Sequence, residues 1–181
     1  SGIDAGNIPT LSTEQVNALE TNDLVQLSAA QIAALTTEQV LNLGVNSLKA
    51  LATEQVRDLS GAQVRALAVA NLSTDQVVAL TTDQASSLKT AQLAALTTKQ
   101  VVALETDDLV SLTTAQLVAM TTAQVEAFTT DQVAALTTDQ VVALTSAQAG
   151  ALTSKQVPAM TTAQVAALET DDLAQVTGVQ L

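Results

Sequence analysis

The chain has 181 residues, of which 48% are apolar and 1% aromatic, and its 18 acidic and 6 basic residues give a net charge of −12. This balance argues against nucleic-acid binding, and the lack of His and Cys excludes disulfides, thiol nucleophiles and zinc sites built on those ligands. No apolar run approaches the roughly 18 residues of a membrane-spanning helix, so no membrane span is expected.

Residues 1–10 form a lead-in, and a repeat of eight residues then runs over residues 11–181. A large apolar residue, usually Leu, closes each octad. On one continuous α-helix eight residues turn through about 800°, so these leucines would spiral around the helix and form no stripe. One long helix is therefore excluded. A β-solenoid stays open as an alternative, although Gln, Ala and Leu favour helices.

The octad itself has the signals of a complete short helix. In residues 35–40, Thr36 and Gln39 have the spacing of a capping box, and Leu35 and Val40 have the spacing of a hydrophobic staple. The strict box recurs in fourteen octads, which start at Ser12, Ser28, Thr36, Ser60, Ser73, Thr81, Thr97, Thr113, Thr121, Thr129, Thr137, Thr145, Thr153 and Thr161. Each octad is therefore predicted to begin a new helix.

Helices this short are not stable alone in water. The chain must coil so that the Leu and Val positions face a common axis, and neighbouring repeats then stabilise one another. The predicted fold is all-α, an α-solenoid of very short capped helices with one helix per eight-residue repeat.

Two irregularities interrupt the array. A step of five residues over 68–72 re-phases it, and we interpret this step as one longer helix that ends at Asn71 in the left-handed conformation. Pro158 lies inside a predicted helix, where it removes a backbone N–H and predicts a distorted turn. The last residues, 177–181, begin another unit, so we expect residues 11–181 to be a single solenoid from a longer array.

Acidic residues cluster in two octads, at Asp107, Asp108, Asp171 and Asp172. They are interpreted as helix-start charges that complement the helix dipole, with a weak cation site as the alternative, because the alternating ligands and Gly of a calcium loop are missing. No cofactor or catalytic residue is predicted. A carboxylate pair would need a pocket that raises one pKa, and the chain is expected not to be an enzyme.

The second residue of most octads is Thr. Where the first residue is not Ser or Thr, at Thr21, Thr53, Thr90, Thr106 and Thr170, the second Thr is expected to cap the helix one residue later. The functional alternative is a regular exposed Thr surface that binds ice or a repetitive polymer. The candidates for that surface are Thr82, Thr98, Thr114, Thr122, Thr130 and Thr138.

The consensus Leu-Thr-Thr-x-Gln-Val-x-Ala-Leu is seen in residues 96–104 and 136–144, and in 80–88 with Ala85 at the Val position. It resembles octapeptide arrays in very large bacterial secreted or surface proteins of the adhesin or repeat-toxin type. The resemblance implies an extracellular or cell-surface location, although the lack of Cys also fits a cytoplasmic one. It implies a non-enzymatic spacer, scaffold or adhesive stalk. The alternative is a binding module that presents its Thr surface to ice, a glycan or a protein partner.

Overall fold

The computed structural model describes residues 3–168, which form helices of three to six residues joined by bends. No strand occurs in this range. The all-α fold with one short helix per repeat is therefore confirmed. The chain divides into two compact units between Leu88 and Lys89.

The first unit begins with a 3₁₀ helix, and a second one interrupts its α-helices. Its segments are the 3₁₀ helix Ala5–Thr10, α1 (Thr13–Asn17), α2 (Thr21–Leu24), α3 (Ala29–Ala33), α4 (Thr37–Leu41), α5 (Val45–Ala50), α6 (Thr53–Arg57), α7 (Gly61–Val64), the 3₁₀ helix Val69–Asn71, α8 (Thr74–Val78) and α9 (Thr82–Ser87).

The second unit has the same organisation and one 3₁₀ helix near the end of its described part. Its segments are α10 (Thr90–Ala95), α11 (Thr98–Ala103), α12 (Thr106–Ser111), α13 (Thr114–Val118), α14 (Thr122–Glu126), α15 (Thr130–Ala135), α16 (Thr138–Val142), α17 (Ser146–Ala149), the 3₁₀ helix Val157–Ala159 and α18 (Thr162–Ala167).

Within each unit, a helix packs against the third helical segment after it. In the first unit α1 packs against α4, α2 against α5, α4 against α7, α6 against α8 and α7 against α9. In the second unit the pairs are α10 and α13, α11 and α14, α12 and α15, α13 and α16, α14 and α17, and α16 and α18. Three segments therefore complete one coil, so each unit is a solenoid with three sides.

The core is a thin layer made by two positions of the octad. The Val position, as in Val101 and Val125, is fully buried, and the closing position, as in Leu104 and Leu136, is 4% exposed. Side chains of this size fill a narrow axis, and Phe128 is the one aromatic residue among the buried side chains of the described chain. The predicted staple layer is therefore present, and stacked coils provide the burial that a single short helix lacks.

All fourteen predicted capping boxes form. At Thr129, for example, the hydroxyl accepts from the Gln132 N–H at 3.1 Å and the Thr129 N–H donates to Gln132 Oε1 at 2.9 Å. The same pair of bonds is made by Thr153 and Gln156, although no α-helix follows them. In these fourteen octads the backbone groups at the start are thus satisfied by the octad itself.

The expectation that the second Thr caps one residue later in certain octads is wrong. Thr21, Thr53, Thr90 and Thr106 are each the first helical residue, and no side chain caps the helix at the preceding residue, which is Glu20, Ala52, Lys89 or Glu105. At Ala52 and Lys89 the Gln side chain still accepts the backbone N–H. The helix register is therefore kept even where the cap is lost. Thr170 lies outside the described residues.

In most octads the Gln also connects one coil to the next, a role that the capping box does not predict. Gln132 Nε2 donates to the carbonyl oxygens of Val101 at 2.9 Å and Leu104 at 2.8 Å, and its side chain is 2% exposed. Leu104 is the C-cap residue, directly after α11. One amide thus satisfies the start of its own helix and the end of an earlier one.

The five-residue step forms a helical segment of its own, so the predicted longer helix ending at Asn71 is wrong. Val69–Asn71 is a 3₁₀ helix that packs against α5, and no residue in the described chain has the left-handed conformation. Gln76 Nε2 donates to the carbonyls of Leu48 and Leu51, 28 and 25 residues earlier, whereas Gln132 donates 31 and 28 residues back. The step therefore shortens the coil by three residues and keeps its three sides.

The distortion predicted at Pro158 is confirmed. Residues 154–156 form a turn, and Val157–Ala159 form a 3₁₀ helix in which Pro158 lies near the start, where its missing N–H is tolerated. Gln156 still donates to the carbonyls of Val125 at 3.0 Å and Phe128 at 2.7 Å. The contact between coils thus survives the loss of the α-helix.

Candidate binding surface

The structure places all six Thr candidates at the first helical residue, on α9, α11, α13, α14, α15 and α16, where each is exposed. The preceding Thr of each octad provides the cap, as Thr137 does for α16 through a 3.1 Å bond from the Gln140 N–H. The second Thr is therefore displayed on the surface because the first one holds the capping position.

The three sides of the coil separate these candidates. Thr114 and Thr138 lie on the side made by α10, α13, α16 and α18, whereas Thr98 and Thr122 lie on the side of α11 and α14. Thr130 is on the side of α12 and α15, and Thr82 belongs to the first unit. The six residues therefore do not form one strip.

One side does carry a regular column of threonines. The first residues of α10, α13, α16 and α18 are Thr90, Thr114, Thr138 and Thr162, which are 24 residues apart in sequence and all exposed. We call these four residues the threonine face. Sequence analysis assigned Thr90 to capping and missed Thr162, because the grouping depends on three octads per coil.

The helices of the threonine face also expose apolar side chains and carry little charge. Val118 is 38% exposed and Val142 is 44% exposed, at the position that follows the buried Leu or Val. Ala94 and Ala166 are exposed at the same position of α10 and α18. Asp139 is the one charged residue within the bounds of these four helices. The face is thus nearly neutral on an acidic chain.

The two carboxylates in the first turn of α12 lie where a helix start was expected, but they differ in burial. Asp107 is exposed, but Asp108 is 2% exposed and its Oδ2 has no hydrogen-bond partner. Burial, with the nearby charges of Glu105 and Asp107, raises the pKa of Asp108 to about 6. Asp108 thus lies in the first turn of α12, as expected, but its burial favours the neutral form. Asp171 and Asp172 lie outside the described residues.

Two further features bear on metal binding and acid–base chemistry. Within residues 3–168, no three acidic, His or Cys side chains converge as a metal site would require. An open cleft of ≈ 430 Å³ lies between residues 9–14 and 36–39 and includes Glu14. Hydrogen bonds from a backbone N–H and from the Ser12 hydroxyl lower the pKa of Glu14. Its carboxyl is thus unsuited to act as a general acid at neutral pH.

The repeat visible in the fold agrees with a comparison to known families. The family model described as the ALTTAQ repeat matches residues 16–46, 101–138 and 135–162, which together make up just over half of the chain. A search of curated proteins finds no match to this sequence. In the part of the chain that the structure covers, no helix has the length and apolar character needed to span a membrane.

Proposed function

Because the chain belongs to the ALTTAQ repeat family, we propose that it is a non-enzymatic structural segment, a spacer, scaffold or adhesive stalk of a large bacterial extracellular protein. The observation that carries this proposal is that the polar side chains of the repeat bind backbone groups of the coil itself. The cap Ser or Thr and the buried Gln of successive octads are bonded to backbone groups, as Thr129 and Gln132 are. Chemistry-bearing residues are therefore used to build the coil.

The way coils stack also supports a spacer. Each helix contacts the third segment along the chain, so adding octads extends a unit without changing its core. The bacterial and extracellular parts of the proposal depend on the resemblance of the Leu-Thr-Thr-x-Gln-Val-x-Ala-Leu consensus to arrays in large secreted proteins. The chain has no Cys, so this repeat folds without disulfides.

The spacer proposal is tested by changing the number of octads. The chain has no Cys, so Thr90→Cys and Thr162→Cys place two spin labels on one side of the second unit. Removing residues 113–136 takes out α13, α14 and α15, which is one whole coil. The distance between the labels should then fall by about 8–10 Å, the usual separation of packed helices, and the helical signal should be kept.

A second deletion provides the matched control. Removing residues 113–124 takes out one and a half octads and joins Leu112 to Val125, so the cap of α14 is lost. This shorter deletion should lower the melting temperature more than the longer one does. An unchanged label distance, or loss of the fold in the whole-coil deletion, would overturn the spacer proposal.

The threonine face supports a binding module as the second candidate function. Four exposed Thr side chains stand in one column beside exposed Val118 and Val142, and few charged groups would lose water on contact with a neutral surface. Ice or a neutral glycan would fit this chemistry, since both present regularly spaced hydroxyl groups. The observation concerns one side of the coil, so the other sides serve as controls.

The test uses two double variants in assays of ice recrystallisation, glycan binding and calcium binding. Thr114→Lys with Thr138→Lys changes the threonine face, and Thr98→Lys with Thr122→Lys makes the same change on the side of α11 and α14. A spacer should show no saturable binding in any of them. Saturable binding that only the first pair abolishes, at an unchanged melting temperature, would replace the spacer with the binding module.

A further inference from the structure

Asp108 occupies the position at which other octads have the buried Gln. It is the third residue of α12, as Gln132 is of α15 and Gln140 of α16. It is also as buried as those two residues, with 2% of its surface exposed. Asp108 is therefore held in the buried Gln position of its octad.

The chemistry of the two side chains differs at this position. Gln132 Nε2 donates to the Leu104 carbonyl oxygen at 2.8 Å, and Gln140 Nε2 donates to the Leu112 carbonyl oxygen at 2.9 Å. Each acceptor belongs to the residue that directly follows an earlier helix. An ionised carboxylate has no hydrogen to donate, whereas a protonated carboxyl has one. Asp108 Oδ2 is buried and has no partner, so an ionised Asp108 leaves a charge and an acceptor unsatisfied.

The charges around Asp108 do not compensate for this burial. Glu105 precedes α12 and Asp107 lies on it, and both raise the pKa of Asp108. The helix that packs against α12 within the second unit is α15, whose one charged residue is Asp131. Neither helix has a basic residue. The surroundings therefore favour the neutral form.

We infer that Asp108 is a pH-sensitive joint in the array: at mildly acidic pH its carboxyl is protonated and brings no charge into the buried Gln position, and at neutral pH the ionised carboxylate loosens the coil around α12. The joint belongs to one octad, because the neighbouring octads have a Gln that does not titrate. This joint would make one place in the array respond to acidity, whereas a spacer of uniform stability has no such place.

The direction in which stability changes with pH follows from proton linkage. The pKa of Asp108 is raised from 3.8 to about 6 by burial first and by Glu105 and Asp107 second, so the folded state binds this proton more tightly than the unfolded state. The stabilising effect is fully present below about pH 4 and is lost as the pH rises through about 6. Over this window, the shift corresponds to up to about a hundredfold change in the folding equilibrium constant.

The test compares Asp108→Asn and Asp108→Gln with the unaltered chain by urea unfolding at pH 4.5 and pH 7.5. Both changes keep a donor and remove the titrating group. Both should raise the folding constant by at least tenfold at pH 7.5 and have a much smaller effect at pH 4.5. Asp139→Asn is the matched control, because it removes one exposed first-turn carboxylate from α16, and its effect should differ little between the two pH values.

A direct measurement follows the Asp108 carboxyl by carbon-13 NMR. A resonance with a midpoint near 6 that disappears in Asp108→Asn would support the joint. Amide hydrogen exchange at Leu109, corrected for the intrinsic effect of pH, should also show weaker protection at pH 7.5 than at pH 4.5 in the unaltered chain and equal protection in Asp108→Gln. A midpoint near 4, or equal effects of Asp108→Gln at both pH values, would overturn the inference.

Discussion

Gln132 Nε2 lies 2.8 Å from the carbonyl oxygen of Leu104, 28 residues earlier in the chain. The same side chain accepts the Thr129 N–H through Oε1 at 2.9 Å. A single amide thus joins the start of α15 to the residue that ends α11. Because an amide has both donors and an acceptor, Gln can make all of these bonds, which a carboxylate cannot.

This double role predicts a large effect for a change of one atom. Gln132→Glu keeps the acceptor but removes the donor and places a charge beside two carbonyl oxygens, so it should lower the free energy of unfolding at pH 7 by about 2–4 kcal/mol. Urea unfolding measures this change. Gln15→Glu is the control, because Gln15 forms the same capping box but is exposed. It should change stability by less than about 1 kcal/mol, and equal effects at both positions would contradict the role of Gln between coils.

The capping register predicts unequal effects for two adjacent threonines. Thr137 accepts the Gln140 N–H at 3.1 Å, whereas Thr138 is the exposed first residue of α16. Thr137→Ala should therefore cost about 1 kcal/mol, and Thr138→Ala clearly less. Thermal melting of the two variants checks this order, and a larger effect of Thr138→Ala would mean that the helix begins one residue later.

The thin core predicts strong sensitivity to charge at the closing position. Leu136 is 4% exposed, and no Lys or Arg is buried in the described part of the chain, so Leu136→Asp buries an unpaired carboxylate and should unfold the neighbouring coils. Asp139→Ala changes an exposed residue three positions further along and should cost below about 1 kcal/mol. Circular dichroism and melting of the two variants test this contrast. A cooperative melt of Leu136→Asp at the original temperature would show that the core lies elsewhere.

Close contact between two successive coils of the first unit predicts that one glycine resists substitution. A Cβ added to Gly61 on α7 would lie 2.5 Å from Ser87 Oγ and 3.1 Å from Ser87 Cβ on α9. Gly61→Ala should therefore destabilise by about 1 kcal/mol despite the better helix propensity of Ala, because α7 and α9 must move apart. Urea unfolding measures the change.

Two variants show whether this contact is the cause. Adding Ser87→Ala removes the nearer atom and should recover part of the loss. Gly44→Ala is the control, since its added Cβ would lie 3.9 Å from the nearest atom, Ser47 Oγ. If Gly44→Ala costs as much as Gly61→Ala, packing against Ser87 is not the reason.

One coil shows how the structure replaces a missing Gln. The octad of α5 has Gly44 before the helix and Ser47 at the Gln position, so it has no capping box. Asn17, from α1, accepts the Gly44 N–H at 3.1 Å and donates to the Asn42 carbonyl at 2.7 Å. Nothing near Gly44 in sequence predicts this substitute, because it lies 27 residues away.

The sequence by itself determined the helices, since their signals act over three to five residues. Thr129 and Gln132 identify each other as a capping box, and the Leu and Val of one octad identify the buried layer, so the all-α solenoid and the distorted turn at Pro158 could be predicted. The wrong interpretation of residues 68–72 came from the same local view. A five-residue step has no box, and only its packing against α5 shows that it forms a full side.

The tertiary structure alone decided how many octads make a coil, and with it which residues meet. The octads are chemically almost identical, so no pattern tells which earlier carbonyl the Gln132 amide reaches. That choice depends on the angle between successive helices, which lets three of them complete one coil. It is this angle that places Thr90, Thr114, Thr138 and Thr162 in one column and separates Thr98 and Thr130 from them. It also decides that Asp108, at a Gln position, is buried without a partner, because burial there comes from packing between coils and not from the octad itself.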